Sequence, residues 1–153
     1  MHILIICTGN TCRSPIAKAL LKNELNLSGL GAVHAVDSAG IASIDGQPAA
    51  DAAVKLLAEK GLDISGHRSK RLTPALVEWA DLILVMTVSQ LELLRSRFPE
   101  GADKVLLLKE YAASINSGLE IADPYGYNDQ IYRLVIEEIH GCVKKIMPKL
   151  TGG

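Results

Sequence analysis

The sequence lacks the features that mark several large classes of protein. No stretch reaches the roughly 18 apolar residues of a membrane-spanning helix, and Met1 and His2 lead directly into an apolar segment without a charged leader or cleavage site. The charges nearly cancel, with 16 Lys and Arg against 17 Asp and Glu, so bulk electrostatics favours neither nucleic acid nor a membrane surface. We therefore expect a cytoplasmic protein with neither kind of partner.

Cysteine is scarce as well, and its spacing excludes two further classes. The chain has three cysteines and no Cys-x2-Cys pair, which fits a reducing compartment better than a disulfide framework. The histidines His2, His34 and His140 show no ligand spacing. We therefore expect neither a metal nor another cofactor.

The chain does contain many apolar residues, in segments that alternate between strand and helix patterns. They make up 48% of the 153 residues, enough for a full core, so we expect residues 1–153 to form one domain. Predicted strands cover residues 3–6, 33–36, 82–86 and 105–108, and predicted helices cover the segment from Pro15 to about residue 27 and residues 49–60, 74–80, 89–97 and 129–147. This alternation predicts an α/β fold with a parallel sheet covered on both faces, whose ligands bind at the carboxyl ends of the strands.

Two predicted details concern the second half of the chain. A long loop is expected through Asn116, Ser117 and Gly118 to Asp123. The last helix is expected to bury one apolar stripe, formed by Ile131, Leu134, Val135, Ile139, Val143 and Ile146.

The most informative stretch follows the first predicted strand and precedes the first predicted helix. It reads Cys7-Thr8-Gly9-Asn10-Thr11-Cys12-Arg13-Ser14 and is followed by Pro15, which fits a first helical turn. A loop in this position presents backbone N–H groups at the positive end of a helix dipole and so binds phosphate or another compact anion. Gly9 lets the backbone pass close to the anion, and Asn10 tolerates a left-handed conformation.

A cysteine and an arginine six positions apart turn this anion loop into a candidate catalytic site. A cysteine near a helix N-terminus and a guanidinium is stabilised as the thiolate, so we expect Cys7 to be a nucleophile able to attack phosphorus. The planar fork of Arg13 can hold two oxygens of a phosphoryl group, and Ser14 can donate its hydroxyl to the sulfur. The loop then stabilises charge in the transition state with donors already in place.

The stretch from Cys7 to Pro15 resembles the signature of the low-molecular-weight protein tyrosine phosphatases. The resemblance extends over essentially the whole chain, through Ser38-Ala39-Gly40, Ser65-Gly66-His67-Arg68, Asp81 to Met86 and Asp123-Pro124-Tyr125. It implies a three-layer α/β sandwich with a four-stranded parallel sheet, and phosphorylated proteins as partners.

The resemblance also implies roles for individual residues. Asp123 is the expected general acid and then general base, worth about 10²–10⁴-fold in rate. Thr8, Gly9, Asn10, Thr11, Cys12 and Ser14 are expected to bind the phosphate group, and Tyr125 to offer a stacking face to the substrate. Asn10, Ser38 and His67 resemble residues that brace the phosphate loop, whereas Lys70 stands where the family pattern has arginine.

The choice of substrate depends on Thr11. The tyrosine-specific members are expected to have isoleucine at this position, while Thr11 resembles the protein-arginine phosphatases of the same family. A small polar side chain suits a charged guanidinium, which Asp123 can pair with. Ala42 and Ser43 are small where an aromatic wall would grip a ring. We therefore favour phosphoarginine, with phosphotyrosine as the alternative.

Two other functions and one regulatory hypothesis stay open at this point. An arsenate reductase would need a further relay cysteine, and Cys142 in the last helix is expected to be buried. A non-catalytic phosphopeptide-binding module would gain nothing from Cys7 and Asp123. Cys12 lies in the same curved loop as Cys7, so a reversible disulfide between them would protect the nucleophile from over-oxidation.

Overall fold

The central element of the fold is a four-stranded sheet in which all neighbouring strands are parallel. A computed structural model describes residues 1–114 and 118–152. The strands are β1 (His2–Cys7), β2 (Ala35–Gly40), β3 (Leu82–Val85) and β4 (Val105–Leu107), in the order β2-β1-β3-β4. The helices are α1 (Arg13–Leu27), α2 (Asp51–Ala58), α3 (Pro74–Trp79), α4 (Val88–Arg97), α5 (Leu108–Tyr111) and α6 (Asp129–Leu150). This confirms the predicted α/β class and the four-stranded parallel sheet.

The sheet separates two hydrophobic cores because side chains alternate between its faces. Along β1, Ile3 and Ile5 face a core shared with α1, α2 and α6, while Leu4 and Ile6 face a second core shared with α3 and α4. All four of these side chains are buried. The result is the predicted three-layer sandwich.

The strand order places the site at one edge of the sheet. From β1 the chain crosses to β2 on one side, and it later returns to β3 on the other side before reaching β4. Loops that leave adjacent strands in opposite directions open a crevice at the carboxyl ends of those strands. Cys7 is the last residue of β1 and pairs in register with Gly40, the last residue of β2.

Several boundaries differ from the sequence-based expectations. β2 begins at Ala35 rather than Val33 and continues through Gly40, because pairing with β1 overrides the weaker strand propensity of its polar residues. Sequence reasoning missed the 3-10 helix Pro99–Lys104 and the short helix α5, whose first residue, Leu108, was assigned to a strand. The predicted loop residues Asn116 and Ser117 lie outside the described part of the chain.

Most of the predicted apolar stripe of α6 is buried, namely Val135, Ile139, Val143 and Ile146, and Ile131 is half-buried. Leu134 was expected in the core but is 62% exposed, whereas Tyr132, Ile136 and Cys142 are buried. The helix also continues past the predicted end at Met147 and contains Pro148. Among the described helices, none combines the length and apolarity that crossing a membrane would need.

Candidate active site

A tight loop joins the end of β1 to the beginning of α1 and forms the wall of the site. Backbone N–H groups from outside the loop hold its carbonyl oxygens: Ile41 donates to the Cys7 carbonyl at 3.0 Å, Ala42 to the Thr8 carbonyl at 3.0 Å, and Ala50 to that of Thr11 at 2.9 Å. These bonds occupy carbonyl groups of the loop, whereas an anion at a helix N-terminus is bound by backbone N–H groups. The loop can therefore offer its N–H groups to an anion.

Asn10 is the residue that holds the loop in shape. It has the left-handed φ of +57° expected from the sequence and is fully buried. Its Nδ2 donates to Ser14 Oγ at 2.8 Å and to Ser38 Oγ at 3.0 Å, and its Oδ1 accepts from the backbone N of Lys70 at 3.0 Å. His67 Nε2 lies 2.7 Å from the Asn10 carbonyl oxygen, and because that oxygen only accepts, the nitrogen carries the proton. The structure thus brings together the three residues predicted to brace the loop.

The same network determines which groups the Ser14 hydroxyl can bond to. Ser14 Oγ accepts a hydrogen bond from Asn10 Nδ2, so its own proton is free to point elsewhere. Cys7 Sγ lies 2.9 Å away and both residues are buried. Ser14 can therefore donate a hydrogen bond to the Cys7 sulfur.

Arg13 and Asp123 lie next to each other in the site. Arg13 is 4% exposed, and its Nη1 donates to the Ile121 carbonyl at 2.9 Å. Its Nη2 lies 3.7 Å from Asp123 Oδ2, and the Asp123 side chain is 54% exposed. Arg13 is thus a fixed cation, whereas Asp123 remains accessible to a substrate.

These residues enclose a cleft of about 220 Å³. Its lining residues are Cys7, Thr8, Gly9, Thr11, Cys12, Arg13, Asp123 and Tyr125. The structure therefore places most of the sequence-predicted site residues on one concave surface, including the exposed Tyr125. Asn10 and Ser14 are exceptions, since both are fully buried behind the loop and act on it from there.

The other two cysteines lie in less reactive surroundings. Cys12 Sγ lies 3.3 Å from the hydroxyl of Tyr132, and burial raises the pKa of the Cys12 thiol. Burial also raises the pKa of Cys142, which lies in the α6 core. All three cysteines are free thiols, and a disulfide between Cys7 and Cys12 stays a prediction.

Sequence reasoning missed Gln90 and the Ile121 carbonyl. Gln90 is buried, and its Nε2 donates to Thr8 Oγ1 at 3.0 Å. Thr87-x-x-Gln90 is a capping box at the start of α4, a signal that was readable in the sequence. Backbone acceptors such as Ile121 carry no residue-specific signal.

A larger cleft of about 440 Å³ lies beside α1, lined in part by Lys18, Lys22 and His67. Neither Cys7 nor Arg13 lines this larger cleft. Size therefore does not identify the site in this protein, and the reactive groups do.

Comparisons with known proteins agree with this geometry. The model of the family described as low molecular weight phosphotyrosine protein phosphatase matches residues 2–152. A protein-arginine-phosphatase of Geobacillus stearothermophilus is 38% identical over 149 residues, 97% of this chain and 95% of that protein. A probable low molecular weight protein-tyrosine-phosphatase, EpsP of Ralstonia nicotianae, is 39% identical over 97% of this chain and 94% of its own length. The solved structure of the C7S mutant of the arginine phosphatase YwlE, with a phosphorylated active site serine, has a TM-score of 0.92 at 36% identity and covers 99% of this chain and 96% of that one.

Proposed function

The chain belongs to the low molecular weight phosphotyrosine protein phosphatase family and is a phosphoprotein phosphatase, and we propose that it hydrolyses phosphoarginine in proteins through a phosphorylated Cys7. The observation that carries this proposal is that Thr11 and Asp123 line the same cleft as Cys7. A polar wall and an acid beside the nucleophile suit a leaving group that takes up a proton as the bond to phosphorus breaks, and the guanidinium so formed can pair with the Asp123 carboxylate. Three free thiols also favour a reducing, cytoplasmic setting.

In the first step, the Cys7 sulfur attacks phosphorus. A P–S bond forms while the bond from phosphorus to the guanidino nitrogen breaks, and protonated Asp123 gives its proton to that nitrogen. Arg13 donates one N–H to Ile121 and keeps further N–H donors for the phosphoryl oxygens. The loop N–H groups stabilise the charge that develops on those oxygens.

In the second step, water attacks the phosphorus of the cysteinyl phosphate. Asp123, now a carboxylate, takes a proton from the water as the P–S bond breaks. Inorganic phosphate leaves and the Cys7 thiolate returns, again bonded to Ser14. Because Asp123 is half exposed, it can reach both the leaving group and the water.

Phosphotyrosine is the second candidate substrate, and one observation favours it. Tyr125 lines the cleft and is 71% exposed, so its ring is available to stack on a phenyl group as well as on a guanidinium. The relative from Ralstonia nicotianae is also named as a tyrosine phosphatase. An arsenate reductase finds less support, because Cys142, the one cysteine in the second half of the sequence, is 1% exposed.

The decisive experiment compares hydrolysis of phosphoarginine and phosphotyrosine peptides by the wild type and by Thr11→Ile. We expect the wild type to prefer phosphoarginine and Thr11→Ile to shift the ratio of kcat/KM values at least about ten-fold toward phosphotyrosine, since an apolar side chain desolvates the guanidinium. Thr151→Ile, the same substitution at the exposed end of α6, should leave the ratio unchanged. An unchanged ratio in Thr11→Ile would remove the reason for choosing arginine.

Cys7→Ser separates catalysis from binding alone. We expect the wild type to hydrolyse p-nitrophenyl phosphate and to be inhibited by vanadate, and Cys7→Ser to lose turnover. A wild type without turnover at any pH would instead support a phosphopeptide-binding module.

A further inference from the structure

The side-chain amide of Gln90 has only one orientation that satisfies its neighbours. Its Oε1 accepts hydrogen bonds from the backbone N of Met86 at 2.9 Å and of Thr87 at 3.2 Å. Backbone N–H groups only donate, so the oxygen must face them and Nε2 must face away. Nε2 then lies 3.0 Å from Thr8 Oγ1.

This orientation decides what the hydroxyl of Thr8 can do. The amide Nε2 only donates, so Thr8 Oγ1 accepts, and its single proton points in another direction. Thr8 follows Cys7 directly, is exposed, and lines the cleft. The Thr8 hydroxyl proton is therefore free to donate to a group bound in the cleft that Thr8 lines.

We propose that Gln90 is a positioning residue that turns the Thr8 hydroxyl into a hydrogen-bond donor to the phosphoryl oxygens. The arrangement matches the one behind the sulfur, where Asn10 Nδ2 donates to Ser14 Oγ and leaves the Ser14 proton free to donate to Cys7. In both pairs a buried amide fixes a hydroxyl that acts on the reacting group. The inference rests on phosphatase chemistry at Cys7 and not on the choice between arginine and tyrosine.

Gln90→Glu reverses the direction of the hydrogen bond between residue 90 and the Thr8 hydroxyl, and it hardly changes the shape of the side chain. One carboxylate oxygen still accepts from Met86 and Thr87, but the other oxygen can only accept and so takes the proton of Thr8. With its proton turned toward residue 90, Thr8 no longer donates into the cleft. Thr8→Val removes the hydroxyl outright, whereas Thr8→Ser keeps it.

The test measures kcat/KM for p-nitrophenyl phosphate and the inhibition constant of vanadate in these variants. The loss of one hydrogen bond to a charged oxygen lowers a rate constant or a binding affinity by about 10- to 100-fold. We expect both Thr8→Val and Gln90→Glu to lower kcat/KM and to weaken vanadate binding by such a factor, and the double variant to be no worse than either single variant. Thr8→Ser keeps the hydroxyl and should therefore restore most of the activity and vanadate affinity that Thr8→Val loses. Ser89→Ala, the control on the exposed side of the same helical turn, should stay within about three-fold of the wild type.

Each outcome bears on the proposal. Normal activity and vanadate binding in folded Gln90→Glu would overturn it, as would normal values in Thr8→Val, and additive losses in the double variant would show two unrelated effects. If Gln90→Glu fails to fold, the comparison of Thr8→Val with Thr8→Ser still decides whether the hydroxyl donates. Turnover by Cys7→Ser would refute the proposed phosphatase mechanism itself. That turnover is measured separately, so the two failures can be distinguished.

Discussion

Replacing Asn10 should reveal how much of the stability of the protein is held in the phosphate loop. Asn10→Ala removes three side-chain hydrogen bonds, to Ser14, Ser38 and the backbone of Lys70. At about 1 kcal/mol net for each bond, their loss costs about 3 kcal/mol of the free energy of unfolding. The φ of +57° adds about 1 kcal/mol for alanine, which lacks the local hydrogen bonding that lets asparagine adopt this conformation.

Glycine at the same position separates these two contributions. Asn10→Gly loses the same hydrogen bonds but adopts a positive φ without steric cost. We therefore expect a loss of about 4 kcal/mol for Asn10→Ala and about 3 kcal/mol for Asn10→Gly, measured by urea unfolding with circular dichroism. Asn26→Ala, at an exposed position of α1, should change the free energy of unfolding by no more than about 0.5 kcal/mol.

Two results would refute this reasoning. If Asn10→Ala lost no more free energy of unfolding than Asn26→Ala, the amide network would contribute nothing to stability. If Asn10→Gly were less stable than Asn10→Ala, the left-handed backbone would not be the source of the difference.

Three further predictions concern the surroundings of the loop. A Cβ on Gly40 would lie 2.7 Å from the Thr8 carbonyl oxygen. Gly40→Ala should therefore lower the free energy of unfolding by about 1–3 kcal/mol and reduce turnover. Wild-type values of both quantities would contradict this prediction. Burial lowers the pKa of His67 below the ordinary 6.5, so the unfolded chain binds this proton more readily. Stability should then fall as the pH drops through about 6.5, and a pH titration of urea unfolding should show a weaker fall in His67→Gln. Because burial raises the pKa of Cys12, brief treatment with iodoacetate at pH 7 should label Cys7 first, and mass spectrometry showing earlier labelling of Cys12 would be the opposite result.

Much of the site could be predicted because its signal is local. The spacing of Cys7 and Arg13, the glycine and asparagine between them and the strand before them lie within a few residues of one another. Because these residues are close together in the sequence, they have few possible conformations between a parallel strand and a helix. The loop between β1 and α1 and the left-handed conformation that Asn10 tolerates followed from that stretch.

One edge of the buried face of α6 could not be predicted in the same way, although Val135, Ile139, Val143 and Ile146 are buried as expected. The apolar pattern of that helix allows more than one stripe, and Leu134 satisfies the helical period as well as Ile136 does. Which stripe is buried depends on how α6 packs against α1 and α2, and that packing involves segments far away in the chain. Leu134 is accordingly exposed and Tyr132 is buried against Cys12.

The sequence by itself determined the class of fold, and it placed the candidate site and its proposed nucleophile at the end of β1, because strand, loop and helix signals act over short distances along the chain. Only the tertiary structure decided which distant groups complete the site. Gln90 meets Thr8 across 82 positions, the Ile121 carbonyl meets Arg13 across 108, and Tyr132 meets Cys12 across 120. Contacts at such separations depend on the packing of helices and loops around the sheet, since no local pattern of residues specifies which side chains will meet there.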